Sequence, residues 1–173
     1  MNRIIVLSAA VILAFSSCKI YSFKDVSIPA EVKSIHIAYL ENRARLVNPQ
    51  LAPQLNDKLR QKITSQASKL TQIQTSDADY DVSGYVSDYN YSTSGISNQQ
   101  ASSNRLSVTV HIIFKNHLDP TGRKVAPADF EADVTRNFDF PATQTIQDFE
   151  SGQIPTVVTN VTDEIFNKLF SNW

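Results

Sequence analysis

The sequence predicts a two-layer α+β fold, with a mostly antiparallel or mixed sheet of about four strands and two helices packed on one of its faces. Three observations carry this. Residues 106–114 alternate apolar and polar side chains, as a half-buried strand does, and 79–91 and 130–140 show the same period less regularly. Two segments, one from Leu51 and one from Ile154, repeat apolar residues at helical spacing. Strands with one apolar face need cover on that face only, and two amphipathic helices supply it. The formal net charge of −1 gives no electrostatic reason to expect nucleic acid as a partner. A single cysteine excludes a disulfide within the chain.

The elements follow in order. Residues 1–18 open with Arg3, continue with an apolar run over 4–15 broken only by Ser8, and close on Ser16, Ser17 and Cys18. A positive start, a short apolar core and a small-residue exit describe a secretory signal peptide. The run is too short for a comfortable membrane span, which needs roughly 20 residues. The lone cysteine at that exit reads as a bacterial lipobox. Residues 1–17 are therefore expected to be cleaved, Cys18 to carry the lipid, palmitate included, and 18–30 to tether a single α+β domain over 31–173. Acyl burial at about 0.8 kcal/mol per methylene makes such an anchor slow to release. No acidic residue follows Cys18, where Lys19 and Ile20 stand. By lipoprotein sorting conventions this points to the inner leaflet of the outer membrane, facing the periplasm.

Residues 32–40 alternate with Ile35, Ile37 and Tyr39 on one side, predicting a strand, and 41–48 form a loop with Arg43 and Arg45. Leu51, Leu55, Leu59, Ile63 and Ala67 mark a helix that starts near Pro53, since proline is tolerated only in a first turn. Residues 70–75 fit a short strand or an exit loop. In 79–91, Val82 and Val86 share one face, with Tyr85, Tyr89 and Tyr91 on the other. Residues 92–104 are a polar run around Gly95 and Ile96. This exceeds hairpin loops of about 2–5 residues, and it reads as a loop that is either functional or disordered. Asp119-Pro120-Thr121-Gly122 predicts a hairpin turn. Arg136 interrupts the apolar face of 130–140 and predicts an exposed strand end, a bulge or a charge paired at the sheet edge. In the closing helix, Pro155 is placed in the first turn, and Phe166, Phe170 and Trp173 form a second apolar stripe.

Catalytic patterns are missing. There is no Gly-x-Ser-x-Gly elbow and no phosphate-binding glycine loop. His36, His111 and His117 lack metal-ligand spacing, and Asp129, Glu131 and Asp133 alternate as on a solvated sheet face. Neither a cofactor nor an enzymatic activity is expected.

Several blocks resemble the LptE lipopolysaccharide-assembly lipoprotein family in the form found in Bacteroidetes. They are Ser17-Cys18-Lys19-Ile20-Tyr21-Ser22-Phe23 with Ile28-Pro29, Glu41-Asn42-Arg43-Ala44, Leu46-Val47-Asn48-Pro49, and the terminal Asp163-Glu164-Ile165-Phe166-Asn167-Lys168-Leu169-Phe170-Ser171-Asn172-Trp173. Gly152 and Pro155 depart from a more continuous acidic helix. The resemblance implies a non-enzymatic protein that plugs the outer-membrane β-barrel LptD, helps it assemble, and binds lipopolysaccharide during delivery to the outer leaflet. Its implied partners are that barrel, lipopolysaccharide, and the membrane through the lipid anchor. Anionic lipopolysaccharide calls for cations in mutual reach. The candidates are Arg123 with Lys124 first, then Arg105, Lys115 and Arg43 with its neighbour Arg45. Candidate partner contacts are Ile96 and Asn98 in the polar run and Phe170 and Trp173 at the terminus. An alternative rests on Ala78-Asp79-Tyr80-Asp81-Val82-Ser83-Gly84-Tyr85-Val86. That stretch resembles a strand motif of other outer-membrane lipoproteins, among them activators of peptidoglycan synthases and secretion-channel subunits.

Overall fold

A computed structural model describes residues 28–97, 100–118 and 128–170. In chain order the elements are β1 (Ser34–Ile37), β2 (Glu41–Asn42), α1 (Leu51–Gln66), β3 (Thr71–Ile73), β4 (Tyr80–Ser97), β5 (Gln100–Asn116), β6 (Phe130–Pro141) and α2 (Ile146–Phe170). They build the expected two layers. One sheet of six strands runs β3-β1-β4-β5-β6, with β2 added beside β4. The two strands beyond the expected count are the short β2 and β3, too brief to show a period. The sheet is mixed: β1 pairs in parallel with β3 and β4, whereas β4, β5 and β6 form an antiparallel meander.

This order gives the molecule two ends. The described chain enters beside the starts of β1, β3, β4 and β6, and both helices finish there. At the far end lie the turn from β4 to β5, the segment joining β2 to α1, and the segment joining β6 to α2.

α1 buries Leu51, Leu55, Leu59 and Ile63 against the sheet, as the four-residue leucine spacing requires. It also buries Asn56, whose amide does not stay unsatisfied. Asn56 Oδ1 accepts the Leu40 N–H at 2.8 Å, and Nδ2 donates to the Leu40 carbonyl at 3.0 Å and the Ala52 carbonyl at 2.8 Å. The helix thereby supplies a backbone partner to the strand end where β1 has stopped. Tyr39 is a correction here: β1 ends at Ile37, and Tyr39 is 54% exposed instead of facing inward with Ile35 and Ile37.

β4 corrects the face assignment of its tyrosines. Val86 pairs with Val110 and Asp88 with Thr109, so Ser87 is an extra residue in the ladder. Such a bulge shifts the side-chain alternation by one. Tyr89 is therefore buried on the same face as Val82 and Val86, Tyr91 packs beside it, and Tyr85 is left on the opposite face.

The polar run 92–104 is not a loop in its described part. β4 extends to Ser97 and β5 starts at Gln100, and they pair through Ser92↔Arg105, Thr93↔Asn104, Gly95↔Ser103 and Ser97↔Gln100. Polar composition here reflects a ribbon with water on both faces, where no apolar alternation is needed.

α2 starts at Ile146, well before Pro155, which lies inside the helix. Thr145 caps it: Thr145 Oγ1 accepts the Asp148 N–H at 3.1 Å and donates to Asp148 Oδ2 at 2.7 Å. Arg136 is a charge paired at the sheet edge. It lies on edge strand β6, in unbroken register with Val108, with Nη1 3.5 Å from Glu164 Oε2 of α2.

Candidate functional site

The sheet face away from the helices is lined by short polar side chains paired across β5 and β6. Arg105 forms a two-point pair with Asp139 (2.8 and 3.1 Å). Then come Ser107 with Asn137 (2.8 Å), Thr109 with Thr135 (3.0 Å) and His111 Nδ1 with Asp133 (2.8 Å). These four rungs follow from the alternation: Leu106, Val108, Val110 and Ile112 point into the core, so their neighbours point out. Rungs between directly opposed residues each contribute roughly 0.2–1 kcal/mol. The Arg105 hydrogen bond holds the Asp139 carboxyl below its usual pKa against slight desolvation, and Asp139 in turn raises that of Arg105. On β4, the Tyr85 ring lies 5.2 Å from the His111 ring, and the Arg43 guanidinium sits 4.7 Å from the Tyr85 centroid. Arg43 also reaches Glu41 at 3.1 Å.

The face offers donors and acceptors over a wide, shallow surface. It holds no nucleophile–base pair, and no group of three or more metal-ligating side chains occurs among the described residues. The three histidines have local partners: His36 Nδ1 meets Asp81 at 2.6 Å, His111 meets Asp133, and His117 Nδ1 meets the Ala78 carbonyl at 2.8 Å.

At the far end a second polar group locks the ribbon base to α2. Glu150 Oε1 accepts the hydroxyls of Tyr89 (2.7 Å) and Tyr91 (2.6 Å). Desolvation pushes the Tyr89 phenol up to about 12 and drives that of Tyr91 upward as well. Desolvation also pulls on Glu150, but hydrogen bonds from Tyr91, Tyr89 and Asn48 outweigh it and leave the carboxyl below its ordinary value. The three residues were individually visible in the sequence. What hid their meeting is the bulge at Ser87, which turns both tyrosines inward.

Among the described residues, the candidate cations Arg43, Arg45, Arg105 and Lys115 are not gathered at one place. Arg43 and Arg105 are on the open face and already engaged with carboxylates. Lys115 lies at the opposite end of β5 from Arg105, roughly 33 Å along an extended strand. Arg45 is exposed in the segment after β2. Cys18, Asn98, Arg123, Lys124 and Trp173 lie outside the described residues. Ile96 is in the ribbon, paired with Ala101. Phe170, at the end of α2, is 2% exposed. α2 is covered on two sides, by the sheet and by α1, where Lys62 Nζ lies 5.2 Å from the Phe166 ring.

The described residues thus form a six-stranded mixed sheet with two helices on one face and a paired polar ladder on the other. The family model LptE, described as lipopolysaccharide-assembly, matches residues 32–169. The chain belongs to the LptE family, a non-enzymatic family of lipopolysaccharide-assembly lipoproteins. Comparison with curated proteins finds no sequence match. Among solved structures, the fold is similar to the uncharacterized lipoprotein B from Nitrosomonas europaea, at 11% identity and TM-score 0.52, covering 86% of this chain and 88% of that one. It is also similar to a Xanthomonas campestris protein at 12% identity and TM-score 0.52, covering 83% and 87%. A hypothetical protein from Chlamydia trachomatis aligns at 9% identity and TM-score 0.51, covering 80% and 95%.

Proposed function

We propose that the mature protein begins at Cys18, is lipidated there, and hangs from the inner leaflet of the outer membrane by a tether over 18–30. On this reading 31–173 is a single domain that plugs an LptD-type β-barrel, helps it assemble, and takes part in delivering lipopolysaccharide to the outer leaflet. The observation that supports the plug is the open sheet face. Its rungs from Arg105–Asp139 to His111–Asp133 present hydrogen-bonding groups to a wet surface. A wide barrel has a polar, water-filled interior, where such contacts and bridging waters are favourable. A membrane-facing surface would need the opposite chemistry. Among the described residues no helix is long and apolar enough to cross a membrane.

The test is purification of the native protein after mild detergent extraction. A large barrel should co-purify with it. Recovery with a cell-wall synthase, or as a ring of copies without a barrel, would sink the reading. Separately, Cys18→Ala should abolish acylation and lipoprotein-type processing. An unmodified Cys18 in the wild-type mature protein, read by mass spectrometry, would contradict the anchor.

A further inference from the structure

β6 is an edge strand: over Phe130–Pro141 it pairs with β5 and with no other described strand. The ladder itself identifies the backbone groups left on its outer side. The Ala142 N–H donates to the Ser102 carbonyl, in the same register that pairs Pro141 with Ser103. In an antiparallel ladder, alternate residues turn both N–H and C=O toward the same neighbour. Even-numbered residues of β6 therefore bond to β5. Glu131, Asp133, Thr135, Asn137 and Asp139 direct theirs outward, with no bulge to interrupt the row. Edges of this length are normally blunted by bulges, prolines or inward charges. Here Arg136 is the one inward-parity charge, and proline appears only at Pro141.

Two features define what would fit along this edge. On the open-face side, the Glu131 and Asp133 side chains are 66% and 64% exposed. On the helix side, a groove of about 430 Å³ runs between the second half of β6 and the first half of α2; Phe138, Phe140, Phe149 and Val157 line it together with Asp139, Pro141, a threonine and two glutamines. A strand added to the edge would turn alternate side chains toward these two sides.

We propose that the outer edge of β6 binds an extended segment of a partner protein by strand addition, with lysine or arginine on the open-face side beside Glu131 and Asp133 and aliphatic residues at the alternate positions on the helix side, those toward the Pro141 end entering the groove beside Phe138 and Phe140. Main-chain hydrogen bonds would supply affinity, and the alternating sides specificity. A second copy of this chain fits poorly. Antiparallel pairing of two β6 strands centred on Thr135 sets Glu131 opposite Asp139, shifting by one pair toward Pro141 sets Asp133 opposite Asp139, and centring on Asp133 sets that carboxylate opposite its own copy. This inference does not rest on the barrel reading.

The test uses the detergent-solubilised full protein and a fluorescein-labelled peptide of alternating lysine and valine, about eight residues long. Fluorescence anisotropy should show saturable binding. A peptide of the same composition in two blocks, lysines then valines, should bind at least about tenfold more weakly, as should the alternating peptide to Thr135→Pro. Proline at an outward-facing edge position removes a free donor without breaking the β5 ladder. In the unaltered protein, hydrogen exchange gives an independent reading. The amides of Asp133, Thr135 and Asn137 should exchange fast alone and slow with the alternating peptide. Equal binding of the block peptide overturns the proposal, and so does protection of those amides without peptide, by another segment of the chain or by a second copy.

Discussion

Glu150 takes two phenol hydrogens on one oxygen, and this makes it a residue whose removal should be felt differently at different pH. Its bonds hold the carboxyl below the ordinary 4.5, despite desolvation. A carboxylate with a depressed pKa stabilises the fold fully above its unfolded value and loses that contribution as pH falls through the folded value. Tyr91→Phe removes one of the two bonds and should cost about 1 kcal/mol at neutral pH, discounted for partial exposure. The check is thermal melting at about pH 7 and about pH 3. The gap between wild type and Tyr91→Phe should be clear at the higher pH and shrink at the lower one. A gap that stays constant would show that the phenol contributes only packing.

At the scale of elements, the central strands depend on close approach at Gly84. A Cβ there would run into the His111 carbonyl oxygen of β5. Gly84→Ala should therefore separate β4 from β5 and lower the melting temperature sharply, or prevent folding, whereas Gly152→Ala meets open space and should be harmless. Pro155 works in the opposite direction. It is exposed inside α2 and leaves the Ser151 carbonyl without its helical donor. Pro155→Ala should raise stability by about 1–3 kcal/mol, read by chemical denaturation. These elements also show what the sequence could disclose. The faces of β5 and α1 were legible because one residue type recurs at one period over several turns or pairs. The Tyr89 and Tyr91 assignment failed because Ser87, one residue with no special composition, resets the alternation. The start of α2 was hidden because its signal, Thr145 with Asp148, precedes a proline that reads as a beginning. The polar ladder was legible as a solvated face. The pairing of its rungs was not, because register is a property of two strands together.

At the scale of the molecule, the far end gathers the β4–β5 ribbon, the exposed Leu46 and Val47, and Ile146 at the start of α2. The last residue of β6 pairs with Ser103, so the ribbon beyond it has only two strands. Replacing 94–103 by a two-residue turn should leave the melting temperature nearly unchanged, since the core lies below this point and loop length costs little. It should reduce recovery of the barrel in co-purification. Full recovery with the shortened ribbon would assign it a spacer role.

The position of β1 between β3 and β4 bears on how the chain is assembled in time. A polypeptide that emerges N-terminus first delivers β1 before either of its neighbours exists. Ser34 waits for Thr71 on one side, and on the other its N–H waits for the carboxylate of Asp79. Meanwhile β4, β5 and β6 form a meander of sequence-adjacent pairings that closes without β1. Local contacts of that kind form faster than those that must close a long loop. The earliest strand is thus expected to be inserted late, after α1 has crossed over.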